Sequence, residues 1–257
     1  MELTPITGTF GATITGVDIH RADSNVVGAI RDALARHKVL VVPGQTELTP
    51  PALLEFAEQF GRAEKEHHPT HPDVPGAVGV KVIDGTDYQT GVNVNPIWHT
   101  DGATRTNTAW LSFLHGHQVP PYGRDTLFAD MEAAFDRLSP TLQGFLEGLQ
   151  ATHSWGVQKP DAPPVTHPLI LSNPHTGRKA LYVNQFYTRG IAGLHRAESD
   201  VLLKYLLDQA LVPELQLRVS WQPGTLTIWD NERTQHYLVR DRSFARIMHR
   251  VMVTTAH

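Results

Sequence analysis

Alternation of apolar and polar residues recurs along the chain and predicts many short strands. It is clearest in the N-terminal segment ITGTFGATITGVDI and in the C-terminal segments GTLTIWDN and FARIMHRVMVTT. The two C-terminal segments are predicted to be strands of a central sheet. The continuous apolar run in KVLVVPG indicates a buried strand. Further strands are predicted at AVGVKVID and at residues 109–115, 126–129, 169–171 and 180–183.

Fewer segments have apolar residues at helical spacing. This spacing predicts helices at residues 25–37, 50–60, 131–138, 141–149 and 195–210. Thr49 and Ser139 each stand directly before a proline, which suits an N-cap followed by proline at the first helical position. The mixture neither alternates as βαβ units nor consists of strands alone. It predicts an α+β fold, a β-sandwich or distorted jelly roll braced by helices, in a single domain over residues 1–257.

Composition narrows the class of protein. With 257 residues, of which 40% are hydrophobic, the chain can bury a full core. A net charge of −4 gives no basic surplus for nucleic acid or an anionic membrane. The absence of cysteine excludes disulfides, thiolate zinc sites, iron–sulfur clusters and a cysteine nucleophile. No secretory leader or membrane-length apolar run is visible, so the expected location is the cytoplasm.

The segment NPIWHTDG, residues 95–102, contains an H-x-D pattern. If it is a strand, His99 and Asp101 point to the same face and can chelate one metal ion such as iron(II), manganese or zinc. An isolated H-x-D is more often a simple hydrogen-bonded pair. Here His236 is a third candidate ligand, predicted to follow a strand that ends in a turn. Two histidines and one carboxylate form the facial triad of non-haem iron(II) oxygenases, which leaves coordination positions open.

Two arginines lie in the last predicted strand. Strand alternation puts Arg246 and Arg250 on one face, about 13 Å apart at roughly 3.3 Å of rise per residue. A buried guanidinium needs a carboxylate partner, which is either a ligand or a protein side chain. Instead of binding a ligand, either arginine could form an ion pair within the protein, with Asp230 or Asp241.

Together these motifs resemble the taurine dioxygenase-like (TauD/TfdA) family of iron(II)/2-oxoglutarate-dependent dioxygenases. The resemblance covers most of the chain, through GATITGVDI, WHTD, GRDTLFADMEAAFDRLSP, HPLILSNPHTGRKALYVN, WQPGTLTIWDNERTQHY and ARIMHR. It implies a double-stranded β-helix with Fe(2+), 2-oxoglutarate as cosubstrate and O2. It also implies that the iron ligands are His99, Asp101 and His236.

The resemblance assigns further residues to the site. Thr126 and Arg246 are expected to hold the distal carboxylate of 2-oxoglutarate, and Asn95 to lie beside cosubstrate and substrate. Arg250 is expected to meet an anionic substrate group or the metal-bound end of the cosubstrate. The predicted lining of the substrate pocket also includes His68 and His71, although a surface loop is an equally good interpretation of His71. The three tryptophans nearest these motifs are predicted to be wall or core residues: Trp98, Trp221 and Trp229.

The implied reaction is oxidation, by default hydroxylation, of a C–H bond in a small-molecule substrate, with release of succinate and carbon dioxide. Desaturation or ring closure on a natural-product intermediate is an alternative outcome of the same oxidising chemistry. Because Asp101 fills the third ligand position, halogenation is disfavoured. A zinc- or manganese-dependent hydrolase or isomerase would leave Arg246 and Thr126 without a task, and a catalytically silent barrel would not need the full triad. The implied partner is a small molecule, not nucleic acid or membrane, and a homo-oligomer remains open.

Two departures from the family affect the predicted pocket. Only the short proline-rich segment VQKPDAPPV separates HSWG from THPLIL, where many relatives carry a longer, partly helical insertion, so a more open site is expected. Gly102 stands where taurine-type relatives carry a larger apolar residue. The glycine is therefore predicted to enlarge the pocket near the metal.

Overall fold

The structure is a computed structural model that describes residues 1–66, 71–84, 97–174, 176–239 and 245–255. The strands in this part of the chain are β1 (Glu2–Pro5), β2 (Ala12–Thr15), β3 (Val39–Val42), β4 (Arg62–Ala63), β5 (Asp73–Val74), β6 (Ala77–Asp84), β7 (Leu111–Gln118), β8 (Thr126–Asp130), β9 (Gln150–His153), β10 (Val165–Pro168), β11 (Ile170–Ser172), β12 (Lys179–Leu181), β13 (Thr188–Ile191), β14 (Gln216–Val219), β15 (Leu226–Asp230), β16 (Thr234–Leu238) and β17 (Ile247–Thr254). The α-helices are α1 (Ser24–His37), α2 (Pro50–Glu58), α3 (Met131–Asp136), α4 (Pro140–Leu146) and α5 (Arg196–Ala210). Within the described residues, none of these helices has the length and apolar character that a membrane crossing requires.

The largest sheet runs in the order β1-β2-β3-β15-β7-β17-β6-β5, with β4 paired to β17. The two predicted C-terminal strands are confirmed as β15 and β17, and both lie inside this sheet on either side of β7. Apart from the parallel pair β2 and β3, its strands pair antiparallel. Two smaller sheets are β10-β9-β13 and β11-β12.

A three-stranded sheet, β14-β8-β16, packs against one face of the largest sheet. Phe128 of β8 meets Trp229 of β15 edge to face, with ring centroids 5.3 Å apart. Leu217 of β14 and Met248 of β17 belong to the same buried cluster. Two mainly antiparallel sheets enclosing one apolar layer form the jelly roll that the sequence predicts.

Helices α1 and α2 cover the opposite face of the largest sheet. Their apolar side, which includes Ile30 and Phe56, packs against Phe113 of β7 and Val251 of β17. As predicted, the Thr49 side chain caps α2 by accepting a hydrogen bond from the backbone N–H of Ala52. The mixed fold braced by helices is therefore confirmed.

The strands that the sequence analysis missed include β9, β10, β13, β14 and β16. Each has four or five residues, and most carry Gln, Thr, His or Arg, so alternation is weak over such a short span. Their extended backbone is stabilised by a paired strand distant in the sequence, as β8 provides for both β14 and β16.

A buried ion network joins the end of α1 to the two strand junctions nearest the site. The Lys38 amino group contacts Asp130 at 3.0 Å and Glu132 at 3.1 Å. Arg233 contacts Asp230 at 2.8 Å and Glu132 at 3.2 Å. All five side chains are at most 4% exposed. Because each charge has a partner within salt-bridge distance, none is left uncompensated in the interior.

Arg233 also satisfies the end of a helix. Its guanidinium donates to the backbone carbonyls of Leu34 and Ala35, both at 3.0 Å, in the last turn of α1. The Leu34 carbonyl also accepts from the backbone N–H of Lys38 at 2.9 Å, so Arg233 adds a second hydrogen bond there. A cation at this end of a helix also interacts favourably with the helix dipole.

Replacing Arg233 is expected to destabilise the fold strongly. Arg233→Leu should lower the free energy of unfolding by about 3–5 kcal/mol, because it leaves buried carboxylates without their cation. Arg196→Leu is the matched control, since Arg196 pairs with Asp200 on the exposed face of α5 and should have a much smaller effect. Urea unfolding of both variants measures the difference, and equal losses would contradict a structural role for the network.

Candidate functional site

Three candidate metal ligands converge beside β16, an edge strand of the three-stranded sheet. Ligand atoms of His99, Asp101 and His236 all lie within 4.8 Å of one another. His236 is the middle residue of β16, so the prediction that it follows a strand at a turn is wrong in detail. His99 forms an isolated β-bridge with His236 through backbone hydrogen bonds of 3.1 and 2.8 Å.

The H-x-D segment is not a regular strand. Beyond the bridge at His99, Asp101 lies in a turn rather than on an alternating strand face. The Thr100 hydroxyl donates to the Thr234 carbonyl at 2.8 Å, which ties this turn to the start of β16. The tertiary contact, rather than alternation, therefore brings Asp101 to the histidines.

The protonation states of this cluster suit a metal ion. Burial by itself would raise the pKa of Asp101, but the charge of Arg250 and the two histidines hold that pKa well below its usual range. Burial lowers the pKa of His236 to about 3, helped by nearby His99. Burial also lowers the pKa of His99. At neutral pH the cluster offers two neutral imidazoles and one carboxylate, the forms that coordinate metal.

Hydrogen bonding also selects a tautomer of His99. Its Nδ1 lies 2.9 Å from the carbonyl oxygen of Ile97, which can only accept, so Nδ1 carries the proton. The lone pair is then on Nε2, as metal coordination requires. In His236, Nδ1 is buried and has no hydrogen-bond partner among the described residues, while Nε2 lies 4.0 Å from Asp101 Oδ1. Two nitrogen donors and one oxygen donor fit iron(II).

Gly102 has a different role from the one predicted. Its φ of +74° lies in the left-handed region, and a Cβ built there would come within 2.7 Å of the backbone nitrogen of Ala109. Ala109 already fills the space that a side chain would occupy. The glycine therefore permits the turn after Asp101, and the prediction that it enlarges the pocket is wrong.

Arg250 reaches the metal cluster directly. Its Nη1 lies 3.2 Å from Asp101 Oδ1. The sequence considered Asp230 and Asp241 as internal partners, but Asp230 binds Arg233 and position 241 lies outside the described residues. A partly buried arginine does pair with a protein carboxylate here, and that carboxylate is a candidate metal ligand.

The predicted cosubstrate residues lie near one another. Arg246 is buried and donates at 2.9 Å to the carbonyl oxygen of Arg124, two residues before Thr126. The Thr126 hydroxyl accepts a hydrogen bond of 3.1 Å from the indole N–H of Trp221. Arg246 precedes the first residue of β17, and the pairing of that strand with β7 shifts register between Ile247 and Met248. Simple strand alternation from Arg246 to Arg250 is thus interrupted.

The predicted pocket residues are only partly within the described chain. Asn95 and His68 fall outside the described residues. His71 is half-buried and lies two residues before β5. The short segment after HSWG contains a single 3-10 turn, Gly156–Gln158, followed by turn residues to position 164. The structure thus agrees that no α-helical insertion is present there.

Several residues near the centre were not identified from sequence. The ring centroid of Phe186 lies 6.1 Å from that of His99. Two more rings continue this aromatic wall: Tyr187 lies 4.5 Å from Phe186, and Trp155 lies 5.1 Å from Tyr187. Arg105, four residues after Asp101, forms an ion pair with Glu64. Aromatic residues and single charges outside a motif look the same in sequence whether they line a site or cover a surface, so no local signal identified them.

Comparison with known proteins relates the chain to one family of enzymes. A model of the taurine catabolism dioxygenase TauD, TfdA family matches residues 2–252. The chain is 35% identical over 262 residues to an alkylsulfatase of Acinetobacter baylyi, which covers 94% of this chain and 80% of that protein. It is 33% identical over 262 residues to an alpha-ketoglutarate-dependent sulfate ester dioxygenase of Pseudomonas putida, and this match covers 94% of this chain and 85% of that protein.

Solved structures agree in both fold and sequence. The crystal structure of a taurine dioxygenase from Burkholderia xenovorans matches with a TM-score of 0.88 and 32% identity, covering 99% of this chain and 90% of the other. The match spans nearly the full length of both chains, and it includes the elements that carry the histidine–aspartate–histidine cluster. The chain therefore belongs to the taurine catabolism dioxygenase TauD, TfdA family and is a dioxygenase that depends on iron(II), 2-oxoglutarate and oxygen.

Proposed function

We propose that this dioxygenase hydroxylates a C–H bond of a small anionic molecule, with His99, Asp101 and His236 holding the iron and residues 1–257 acting as one domain. The observation that carries the proposal is the convergence of these ligand atoms within 4.8 Å. Their pKa shifts support it, because they favour neutral imidazoles beside a carboxylate. When bound, iron(II) and 2-oxoglutarate supply the oxygen chemistry that oxidises the substrate and releases succinate and carbon dioxide.

The chain's own residues would bind and orient the cosubstrate. Arg246 is a buried cation suited to the distal carboxylate of 2-oxoglutarate. Trp221 can only donate, so Thr126 accepts from it and keeps its own hydroxyl proton for a second acceptor. A carboxylate beside Arg246 and Thr126 would therefore receive both a charged and a neutral donor.

The surroundings of the centre favour oxidation of a bound organic molecule. Phe186, Tyr187 and Trp155 form an apolar wall that begins at His99, and such a wall excludes water from the reacting atoms. Asp101 supplies a carboxylate at the third ligand position, so no protein position is left vacant for a halide. Hydroxylation is accordingly proposed rather than halogenation.

Two cations support an anionic substrate. Arg105 and Arg250 lie near enough that burial and the charge of Arg250 lower the pKa of Arg105. Glu64 and Asp101 offset these charges. A second carboxylate, that of the exposed residue Glu66, lies 3.4 Å from Arg105 and can be displaced by an anion more easily than the buried carboxylate of Glu64.

Organic sulfate esters are the substrate class proposed first. Two similar proteins are named as an alkylsulfatase and a sulfate ester dioxygenase. Hydroxylation of the carbon that bears the ester oxygen gives an unstable product, which separates into an aldehyde and inorganic sulfate. Release of sulfate would then accompany release of succinate.

Turnover of primary alkyl sulfates tests the proposed function. With iron(II), 2-oxoglutarate and oxygen, we expect equal amounts of succinate and sulfate, and His236→Ala should abolish both because a ligand is lost. His20→Ala, a change of an exposed histidine in a 3-10 turn, is the control and should retain turnover. Sulfate without succinate would indicate a hydrolase instead, and full turnover by His236→Ala would remove this residue from the metal site.

Binding of 2-oxoglutarate tests the two cosubstrate residues. Loss of one partner of a buried charged pair costs roughly 2–5 kcal/mol, so Arg246→Leu should weaken binding by about one to three orders of magnitude. Thr126→Val removes one neutral donor and should weaken binding less. Anaerobic titration of 2-oxoglutarate into the metal-loaded variants gives both affinities, and the reverse order would contradict the assignment.

The two proposed substrate cations should behave differently. Arg105→Gln should raise KM for alkyl sulfates about tenfold to a hundredfold, the range for a lost hydrogen bond to a charged group. Its affinities for metal and 2-oxoglutarate should not change. Arg250→Gln should change metal affinity as well, because its guanidinium contacts Asp101 Oδ1. An equal rise in KM for uncharged analogues with Arg105→Gln would argue against recognition of the substrate anion.

A further inference from the structure

A continuous chain of hydrogen bonds leads from the interior of the largest sheet to Asp101. The indole Nε1 of Trp229 donates to Asn231 Oδ1 at 2.8 Å. Asn231 Nδ2 donates to Ser112 Oγ at 2.8 Å, and Ser112 Oγ donates to Asp101 Oδ2 at 2.9 Å. The first three side chains are at most 1% exposed and Asp101 is 6% exposed, so water does not compete with these bonds.

We call the three hydrogen bonds from Trp229 through Asn231 and Ser112 to Asp101 the relay. The direction of every bond in this relay is fixed by the groups at its two ends. An indole N–H can only donate, and an ionised carboxylate can only accept. Asn231 must therefore present its oxygen to Trp229 and its NH2 group to Ser112. The Ser112 oxygen accepts that bond, so its single proton has Asp101 Oδ2 as acceptor. No hydroxyl rotation or amide flip gives an alternative in which all three bonds are kept.

The relay connects a residue in a turn to rigid strands. Ser112 lies in β7, where it pairs with Trp229 of β15 on one side and with Met252 of β17 on the other. The backbone N–H of Asn231 also donates to the carbonyl of Trp110 at 2.9 Å. Asp101 has no strand pairing of its own, so these side-chain bonds supply the orientation that regular structure does not.

We propose that Trp229, Asn231 and Ser112 are positioning residues that hold Asp101 so that it binds the metal through Oδ1 alone. Oδ2 accepts the hydrogen bond from Ser112, and Oδ1 accepts one from Arg250 at 3.2 Å. Oδ1 keeps a second lone pair and is the oxygen nearest His236, 4.0 Å from its Nε2. The inference rests on the proposed metal site. Partners of this kind around a ligand typically change metal affinity by ten- to a hundredfold.

Cobalt(II) binding to the metal-free protein tests the relay without requiring turnover. Ser112→Ala removes the donor to Oδ2 and should raise the dissociation constant for cobalt about tenfold to a hundredfold. The matched control is Thr227→Val, which removes a fully buried hydroxyl that has no hydrogen-bond partner among the described residues. Thr227 lies in β15, and its loss should leave cobalt affinity unchanged.

A spectrum separates positioning from a general loss of structure. With Oδ2 released, Asp101 can bind through both oxygens, so the visible ligand-field bands of the cobalt form should lose intensity in Ser112→Ala as the coordination number rises. Asn231→Ala leaves the Ser112 hydroxyl in place but removes the bond that orients it, and should weaken cobalt binding less than Ser112→Ala. Melting of the metal-free proteins, compared with Thr227→Val, reports any effect on folding alone.

The outcomes distinguish this proposal from the metal site on which it depends. If wild type binds no cobalt, or if His236→Ala binds it equally well, the metal site itself is wrong. If wild type binds one cobalt and Ser112→Ala matches Thr227→Val in affinity and spectrum, the metal site stands and the relay is overturned. Weaker binding with an altered spectrum in Ser112→Ala, and an intermediate affinity in Asn231→Ala, supports the relay.

Discussion

The buried ion network around Glu132 is the constraint on which the geometry of the site depends. Lys38 and Arg233 bring the end of α1, the junction between β8 and α3, and the turn between β15 and β16 to one point. That turn leads directly into β16, which carries His236. Since a buried charge tolerates little displacement from its partner, the start of β16 is fixed relative to the two packed sheets. The position of one candidate ligand is thereby set by charges that do not touch the metal.

The candidate ligands differ in how their backbone is held. His236 lies within a paired strand, and His99 is bridged to it, so both imidazoles follow the sheet. Asp101 lies in a turn and depends on side chains instead: Ser112 binds one carboxylate oxygen and Arg250 contacts the other. Two oxygens with different partners are not equivalent, and this asymmetry determines which of them faces the histidines.

Electrostatics connects the metal ligands to the proposed substrate site. Arg250 keeps Asp101 ionised and also lies near Arg105, whose own charge is offset by Glu64. Cations are thus placed beside the centre while the protein's carboxylates balance them. A bound anion could replace the exposed carboxylate of Glu66 without leaving Arg105 uncompensated. The same charges therefore serve both metal coordination and the proposed recognition of an acidic group.

The sequence by itself determined the classes of structure and chemistry. Alternation and helical spacing identified the long strands and most helices, and the types and spacing of His99, Asp101 and His236 identified a facial triad. Short strands such as β14 were missed because their conformation comes from a partner strand and not from a local pattern.

Only the tertiary structure decided which side chains meet around that triad. Arg250 and Asp101 are 149 residues apart in sequence, and Asn231 and Ser112 are 119 apart. A pattern along the chain reports which face of an element a residue occupies, but not which distant residue shares that face. For Gly102, the deciding fact was the close approach of Ala109. The sequence thus specified the donor atoms, and the fold selected their orientation, because hydrogen bonds and steric contacts act between residues that folding alone brings together.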